Sequence, residues 1–313
     1  AARRAQCTSR LKQLGLANQN YHQSYNALPP MMTGTYVSKD ELTSNHYNMS
    51  GLVSLAPYYE QQQIFDTAAA RNFGPSPSRT DPWTSPQNTV ERNTWIVSLP
   101  ILLWPSDTVS DSIPFAHSNS KFCLGTNPHD NSTCWGPAPN GCFNIIGPAS
   151  ARQKTFKLSD VRDGTSNTIL MSERQIGRSR THISNVAIMS PADNTSDDTQ
   201  LWYNTCWTVA DQSNGRNYDP DATIYAGDPP GSRWHDGRPY YAGFTTIMPP
   251  NGPSCSVDNG DYFKGVYTPN SAHSGIINVV MADGSVRQIT DGITRSTWWS
   301  LGTRAEGDPI GDF

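Results

Sequence analysis

The first thirty residues, Ala1 to Pro30, constrain the fold most because their pattern fits one kind of element. Mainly apolar and aromatic residues recur every three or four positions along this segment, which is the spacing of one face of an α-helix. Pro29-Pro30 ends the helix, because proline lacks an N–H group and clashes with the preceding turn. The pattern predicts a long amphipathic helix that needs a partner surface. Its stripe consists of Cys7, Leu11, Leu14, Asn18, Tyr21, Tyr25 and Leu28.

The start of this helix carries no residue suited to an N-cap. Ala1, Ala2, Arg3 and Arg4 stand where Ser, Thr, Asp or Asn would be expected. We therefore expect the helix to continue from an upstream segment, which would supply any membrane attachment. The 313 residues themselves contain no run of about eighteen apolar residues, so they predict no transmembrane helix.

Five short motifs are spread along the chain. They are LAPYYEQQQIF (Leu55–Phe65), WPSD (Trp104–Asp107), NIIGPA (Asn144–Ala149), DGTSNTILMSE (Asp163–Glu173) and HSGIINVVMADGSV (His273–Val286). Together with the first thirty residues, they resemble a prepilin-like family of unknown function that is abundant in planctomycete bacteria. The last motif fits that family's His-x9-Asp-Gly ending through His273, Asp283 and Gly284. Two departures are that Trp104 stands where the family usually has cysteine, and that the family's apolar, type IV pilin-like N-terminal segment is not among these residues.

The resemblance implies an α+β, pilin-like fold in which the N-terminal helix packs on an antiparallel β-sheet. Residues 1–30 would be the C-terminal half of a spine helix, and residues 31–313 a single β-rich head domain. Long disulfide-bonded loop insertions are expected near 106–142 and 190–270. The resemblance further implies an extracytoplasmic, structural subunit of pilin or pseudopilin type, which assembles into a filament or surface appendage with copies of itself or related subunits.

Composition supports a loop-rich, mainly β head. Charged residues make up only 16% of the chain, yet the mean hydropathy is -0.58, so the polarity comes from uncharged side chains. The 24 glycines and 24 prolines favour turns. A net charge of -4 and the lack of a basic cluster beyond the first helix argue against a nucleic-acid partner.

The six cysteines favour an oxidising, extracytoplasmic location. No C-x-x-C spacing occurs, which argues against a zinc site. The even count and the loop-rich surroundings favour disulfides, although fifteen pairings are possible. We expect bridges among Cys123, Cys134 and Cys142 and between Cys206 and Cys255. The alternative is free buried thiols, and Cys7 is left unassigned.

An aromatic, irregular region extends from Ser190 to Asn270. Its rings could bind a glycan, contact a neighbouring subunit or fill small cores under the loops. Acidic pairs in the same region supply the oxygen ligands that calcium prefers, and Asp258 and Asp261 are the candidate ligands. No EF-hand loop is present, so no cofactor is expected apart from this calcium alternative. The candidate ligand-binding rings are Trp202, Trp207, Tyr225, Trp234 and Tyr241.

Asp283-Gly284 lies between two apolar runs and predicts a β-hairpin. We expect a two-residue turn with positive φ at both positions, which places Met281 opposite Val286 and Val279 opposite Gln288. The first strand is apolar on both faces, which predicts a central position in the sheet, covered by the N-terminal helix.

Two polar motifs are interpreted as structural. His273 precedes the hairpin, and we expect its ring to bond a neighbouring backbone group or carboxylate. Asp163, Gly164 and Asn167 precede another predicted strand. Their loop could bind a cation or bond its own backbone, and the second use of such residues is the commoner one.

Sequence signatures of the common enzyme classes are missing. There is no G-x-S-x-G, H-E-x-x-H, P-loop or G-x-G-x-x-G motif, and the seven histidines never fall at metal-ligand spacing. His235-Asp236 is an acid/base pair in sequence, but neighbours on a strand point to opposite faces. We therefore predict no catalytic residue and a structural role. The alternative is a cell-surface glycan-binding protein that uses the aromatic residues of 202–244.

Overall fold

The computed structural model describes residues 2–34, 47–69, 95–107, 115–128, 139–146, 155–177, 181–189, 198–211, 215–257 and 264–307. The helices are α1 (Ala2–Tyr25), α2 (Gly51–Leu55), α3 (Gln62–Ala69), α4 (Thr199–Trp207), α5 (Pro239–Ala242) and α6 (Arg295–Gly302). The strands are β1 (Met32–Thr33), β2 (Met49–Ser50), β3 (Ser120–Cys123), β4 (Ile169–Glu173), β5 (Ala187–Ile188), β6 (Gly243–Phe244), β7 (Cys255–Ser256), β8 (Gly265–Val266), β9 (Ile276–Met281) and β10 (Val286–Thr290). The predicted α+β class is confirmed.

A five-stranded sheet organises the fold. Its strand order is β10-β9-β4-β3-β6. The first three neighbouring pairs are antiparallel, whereas β3 and β6 are parallel, so the sheet is mixed rather than purely antiparallel as expected. The parallel pair is possible because more than a hundred residues separate the two strands, which is ample for a crossover. The other strands form a three-stranded sheet, β5-β7-β8, and the pair β1-β2.

Helix α1 packs on one face of the five-stranded sheet. Leu11 and Leu14 are fully buried and share a core with Met171 of β4 and Val280 of β9. Burying each leucine stabilises the fold by about 2 kcal/mol. Gly15 lets the helix approach closely, because a Cβ there would lie 2.9 Å from Cγ1 of Val280. The predicted partner surface of the helix is therefore this sheet.

The buried stripe of α1 is shorter than predicted. It covers Cys7 to Asn18, but Tyr21 is only half-buried, against Tyr58, and Tyr25 is 62% exposed. The helix ends at Tyr25, before the double proline. The chain turns there because Asn26 adopts a left-handed conformation, with φ +51°, which is a common helix ending.

Helix α6 covers the opposite face of the sheet. Trp298 and Leu301 pack with Ile277 and Val279 of β9. The indole N–H of Trp298 donates to the carbonyl of Met248 at 2.7 Å. Strand β9 is therefore covered on both faces, and it is an interior strand between β10 and β4, although β4 rather than β9 is the central one.

The β9–β10 hairpin is shifted by one residue from the predicted register. Val286 pairs with Val280 rather than with Met281. Of the predicted turn pair, only Gly284 has a positive φ, +80°. Its N–H donates to the carbonyl of Met281 at 2.8 Å. A three-residue loop that ends in a left-handed glycine, a common hairpin form, thus replaces the expected two-residue turn.

One of the predicted disulfides is present. Cys206 of α4 is bonded to Cys255 of β7, with Cα atoms 5.8 Å apart, which confirms that prediction. Cys123 and Cys142 are buried free thiols, so a bridge between them is wrong. They pack in different cores: Cys123 with α6 and Cys142 with α1. Cys134 lies outside the described residues.

Candidate functional site

Three of the sequence motifs converge beside the N-terminal half of α1. A cavity of about 10 Å³, which is room for about one water molecule, lies between them. It is lined by the WPSD motif, by the end of β4 and by the loop of residues 270–272, which directly precedes His273. We call this group the polar cluster; it consists of Cys7, Ser106, Asp107, Glu173, Ser271 and His273.

Glu173 lies at the centre of the polar cluster and is 3% exposed. Its Oε1 accepts hydrogen bonds from the backbone N–H of Asn278 at 2.6 Å and from Nδ2 of the same residue at 2.9 Å. Burial, with a smaller contribution from the nearby Asp107, raises the pKa of Glu173 to about 8 despite the lowering effect of the bonds from Asn278 and Ser271. The carboxyl group is therefore largely protonated at neutral pH.

Asp107 fastens the WPSD segment to the ends of β3 and β4. Its Oδ2 accepts hydrogen bonds from Nδ2 of Asn119 at 2.6 Å and from the backbone N–H of Ile176 at 2.8 Å. Asn119 in turn donates to the carbonyl of Arg174 at 3.0 Å and accepts from the N–H of Trp104 at 2.9 Å. The carboxylate and the amide together satisfy backbone groups where the strands end.

Cys7 brings helix α1 into the polar cluster. Its Sγ lies 3.5 Å from Oγ of Ser106. Burial raises the pKa of the thiol, despite the lowering effect of the hydrogen bond with Ser106. The thiol is therefore protonated and lacks the thiolate character of a nucleophile.

His273 lies at the outer edge of the polar cluster. Its backbone N–H donates to Oγ of Ser271 at 3.1 Å, whereas Nε2 of the ring is buried without a hydrogen-bond partner. The predicted bond from the ring to a backbone group or carboxylate is therefore not formed through Nε2. Burial and the charge of Arg4 lower the pKa of His273, so the ring is neutral. The ring lines an open surface pocket of about 520 Å³ beside Arg3 and Arg4.

A comparison against protein families gives a match over most of the chain. The family SBP_bac_10, described as "Protein of unknown function (DUF1559)", matches residues 1–296. The chain belongs to the DUF1559 family. Comparisons with curated proteins and with solved structures give no significant match.

The described part of this DUF1559 member offers no metal site built from three or more His, Cys, Asp or Glu side chains. In the same residues, no helix combines the length and apolar content needed to cross a membrane. The candidate calcium ligands Asp258 and Asp261 lie outside the described residues.

The other polar motifs form backbone contacts. The carboxylate of Asp163 accepts hydrogen bonds from the backbone N–H groups of Glu306 at 3.0 Å and Gly307 at 2.8 Å. The N–H of Asn167 donates to the carbonyl of Gly164 at 2.9 Å. This loop also meets the hairpin, because the N–H of Asp283 donates to the carbonyl of Thr165 at 2.9 Å. Oδ1 of Asp283 accepts from the N–H of Ser285 at 2.8 Å.

The five candidate ligand-binding rings are not brought together. Trp202 and Trp207 belong to a core with Cys206, Trp234 to the core under α1, and Tyr225 and Tyr241 to a tyrosine-rich core. Four of the rings are at most 8% exposed, and Trp207 is half-buried. Because these rings pack inside the protein, they form no shared stacking surface for a sugar.

The acid/base pair suggested by His235-Asp236 is not formed. Both oxygens of Asp236 accept from Nε of Arg238, at 2.9 Å and 3.0 Å, and the two side chains form a fully buried ion pair. The His235 ring stacks on Trp95 with ring centroids 4.9 Å apart, and burial lowers its pKa well below the ordinary value.

Sequence analysis did not identify Asp107, Glu173 or Arg174 as site residues. A signal was present, because Glu173-Arg174 directly follows the apolar strand TILMS. Charged residues at the end of a buried strand need hydrogen bonds or counter-charges. The partners themselves, such as Asn278, are far away in sequence, so their identity could not be predicted.

Proposed function

We propose that this DUF1559 protein is a structural subunit of pilin or pseudopilin type, which assembles with copies of itself or with related subunits through α1. One observation carries the proposal. The 24-residue α1 lies along the sheet with one face buried and the other exposed, so the outer face is available to a neighbouring subunit. The resemblance of the motifs to those of prepilin-like proteins supports the same role.

Two exposed apolar side chains of α1 fit a contact between subunits. Leu16, on the outer face, is 57% exposed, and Tyr25, where the apolar stripe runs past its buried part, is 62% exposed. Among the described residues, the other exposed large apolar side chains are Ile96 at 39% and Val97 at 42%, which lie outside α1. Aromatic side chains in particular are enriched at protein interfaces.

The proposal includes an extracytoplasmic, cell-surface location. Disulfides such as Cys206–Cys255 persist in oxidising compartments and are rare in reducing ones. A structural role also fits the polar cluster, whose Glu173 carboxyl group and Cys7 thiol are buried and protonated.

Assembly is tested by placing charge on the outer face of α1. Leu16→Glu is introduced into the complete gene in its natural host, and surface material is examined by sedimentation and electron microscopy. We expect the variant to lose assembly, because a charge buried between subunits is costly. Its melting temperature should match that of the parent, since the Leu16 side chain is exposed.

Val97→Glu is the matched control, because it places the same charge at an exposed apolar position outside α1. It should assemble like the parent. The proposal fails if the α1 variant assembles as well as the parent, or if the parent stays monomeric.

A further inference from the structure

Lys121 of β3 and Arg174, which follows β4, project from the same face of the five-stranded sheet. Lys121 pairs with Ser172, and the N–H of Arg174 donates to the carbonyl of Asn119 at 2.7 Å. The two cationic residues therefore occupy diagonal positions on neighbouring strands, within reach of each other's long side chains. Because successive side chains alternate between faces, they lie opposite Glu173 and the polar cluster.

Both side chains are fully buried, and each has few hydrogen bonds. Nζ of Lys121 donates to the carbonyl of Ser118 at 2.7 Å. Nη2 of Arg174 donates to Oγ of Ser254 at 3.2 Å, whereas its Nε and Nη1 are buried without a partner. Buried guanidinium groups normally have their donors satisfied, so these two nitrogens need an explanation.

No carboxylate of the described residues forms an ion pair with Lys121 or Arg174. The groups that act electrostatically on Arg174 are the hydroxyls of Tyr218, Tyr240 and Tyr267. Two acidic residues of the same half of the chain already form ion pairs with other arginines, Asp228 with Arg233 and Asp236 with Arg238.

An unpaired buried cation costs several kcal/mol. Lys121 can relieve this cost by losing its proton, since burial and the charge of Arg174 lower its pKa well below the ordinary value. Arg174 cannot lower the cost in this way, because a guanidinium group stays protonated in proteins. A counter-charge from outside the chain would satisfy both the charge and the open donors.

We propose that Lys121 and Arg174 bind a small inorganic anion, of the size of chloride or nitrate, on the face of the sheet opposite α1. The anion would accept hydrogen bonds from the free nitrogens of Arg174 and from Nζ of Lys121. Strands β3 and β4 would then be joined by an ion as well as by their backbone bonds. This inference is independent of the proposed assembly.

The test is thermal unfolding at constant ionic strength, with the bulky anion gluconate replaced stepwise by chloride, nitrate or phosphate. We expect at least one of these three anions to raise the melting temperature of the parent in a saturable way. Lys121→Met keeps an unbranched side chain, one atom shorter, and removes the amino group that donates. It should raise the half-saturating anion concentration by about tenfold, or about 1.4 kcal/mol.

Lys12→Met is the matched control, because Lys12 lies on α1 and its Nζ donates to the carbonyl of Gly284 rather than to this site. Its anion dependence should equal that of the parent. If Lys121→Met fails to fold, crystals of the parent soaked in bromide should show an anomalous peak within hydrogen-bond distance of Arg174. The proposal is overturned if no anion changes the melting temperature, if Lys121→Met responds like the parent, or if no peak lies at Arg174.

Discussion

Glu173 joins the end of β4 to the start of β9 through a carboxyl group that the fold keeps largely uncharged. Burial raises its pKa from the ordinary 4.5 to about 8. In the unfolded chain the group returns to its ordinary pKa. Between these two values the folded protein holds a proton that the unfolded chain has released, which links stability to pH.

We expect the free energy of unfolding to fall as the pH rises from about 4.5 to about 8. This proton stabilises the fold fully at a pH below the pKa that Glu173 has in the unfolded chain. The stabilisation is lost as the pH rises through the pKa that Glu173 has in the folded protein. A shift of this size is worth up to roughly 5 kcal/mol. Glu173→Gln cannot ionise, so it should lack this loss and be more stable than the parent above pH 8.

Denaturant titrations across this pH range measure the effect. Glu60→Gln is the control, because it makes the same substitution at an exposed position. Equal pH dependence in Glu173→Gln and in the parent would show that Glu173 does not carry the linkage.

A second residue-scale prediction concerns the hairpin loop. Gly284 has φ +80°, a conformation that a β-branched residue tolerates poorly. Gly284→Val should therefore destabilise the protein by about 1–3 kcal/mol. Gly292→Val is the control, since nothing lies within 4 Å of a Cβ there and its φ lies outside the positive range that disfavours side chains. Equal melting temperatures of the two variants would contradict this account of the loop.

At the scale of elements, the fold depends on how closely α1 approaches the β9–β10 hairpin. Nζ of Lys12 donates to the carbonyl of Gly284 at 2.8 Å, and Nε2 of Gln19 donates to the carbonyl of Ala282 at 2.7 Å. Between these two contacts, Gly15 faces Val280 without a side chain of its own. Apolar packing and two polar contacts thus hold the helix against the hairpin.

Gly15→Leu should push α1 away from β9 and lower the free energy of unfolding by about 1–3 kcal/mol, because overpacking forces backbone shifts. Gln13→Leu introduces the same side chain on the exposed face of α1 and should change stability little. Chemical denaturation of both variants measures the difference. A Gly15→Leu protein as stable as Gln13→Leu would mean that the close approach is unimportant.

The disulfide between α4 and β7 gives a further element-scale prediction. Its cysteines are 49 residues apart, and closing such a loop is worth about 2–4 kcal/mol. Mass mapping without reductant should find Cys206 bonded to Cys255, and reduction should lower the melting temperature. The buried Cys123 and Cys142 should be alkylated only after unfolding. A bridge between those two thiols would contradict the structure.

At the scale of the whole molecule, local patterns predicted elements well, whereas partners distant in sequence could not be predicted. The stripe around Leu11 and Leu14 correctly predicted α1, and the apolar run of β9 correctly predicted an interior strand. Cys123 and Cys142 are close in sequence but pack in different cores, so their spacing was misleading. Glu173 meets Asn278 across 105 residues, which no local pattern reveals.

The assembly proposed for α1 is tested most directly by electron cryo-microscopy of the surface material formed by the complete gene product. The account predicts a polymer in which α1 lies at the contact between subunits, with Leu16 of its outer face buried against a neighbouring copy. A polymer whose contacts leave the outer face of α1 exposed to solvent, or a protein that remains monomeric at the cell surface, would contradict it.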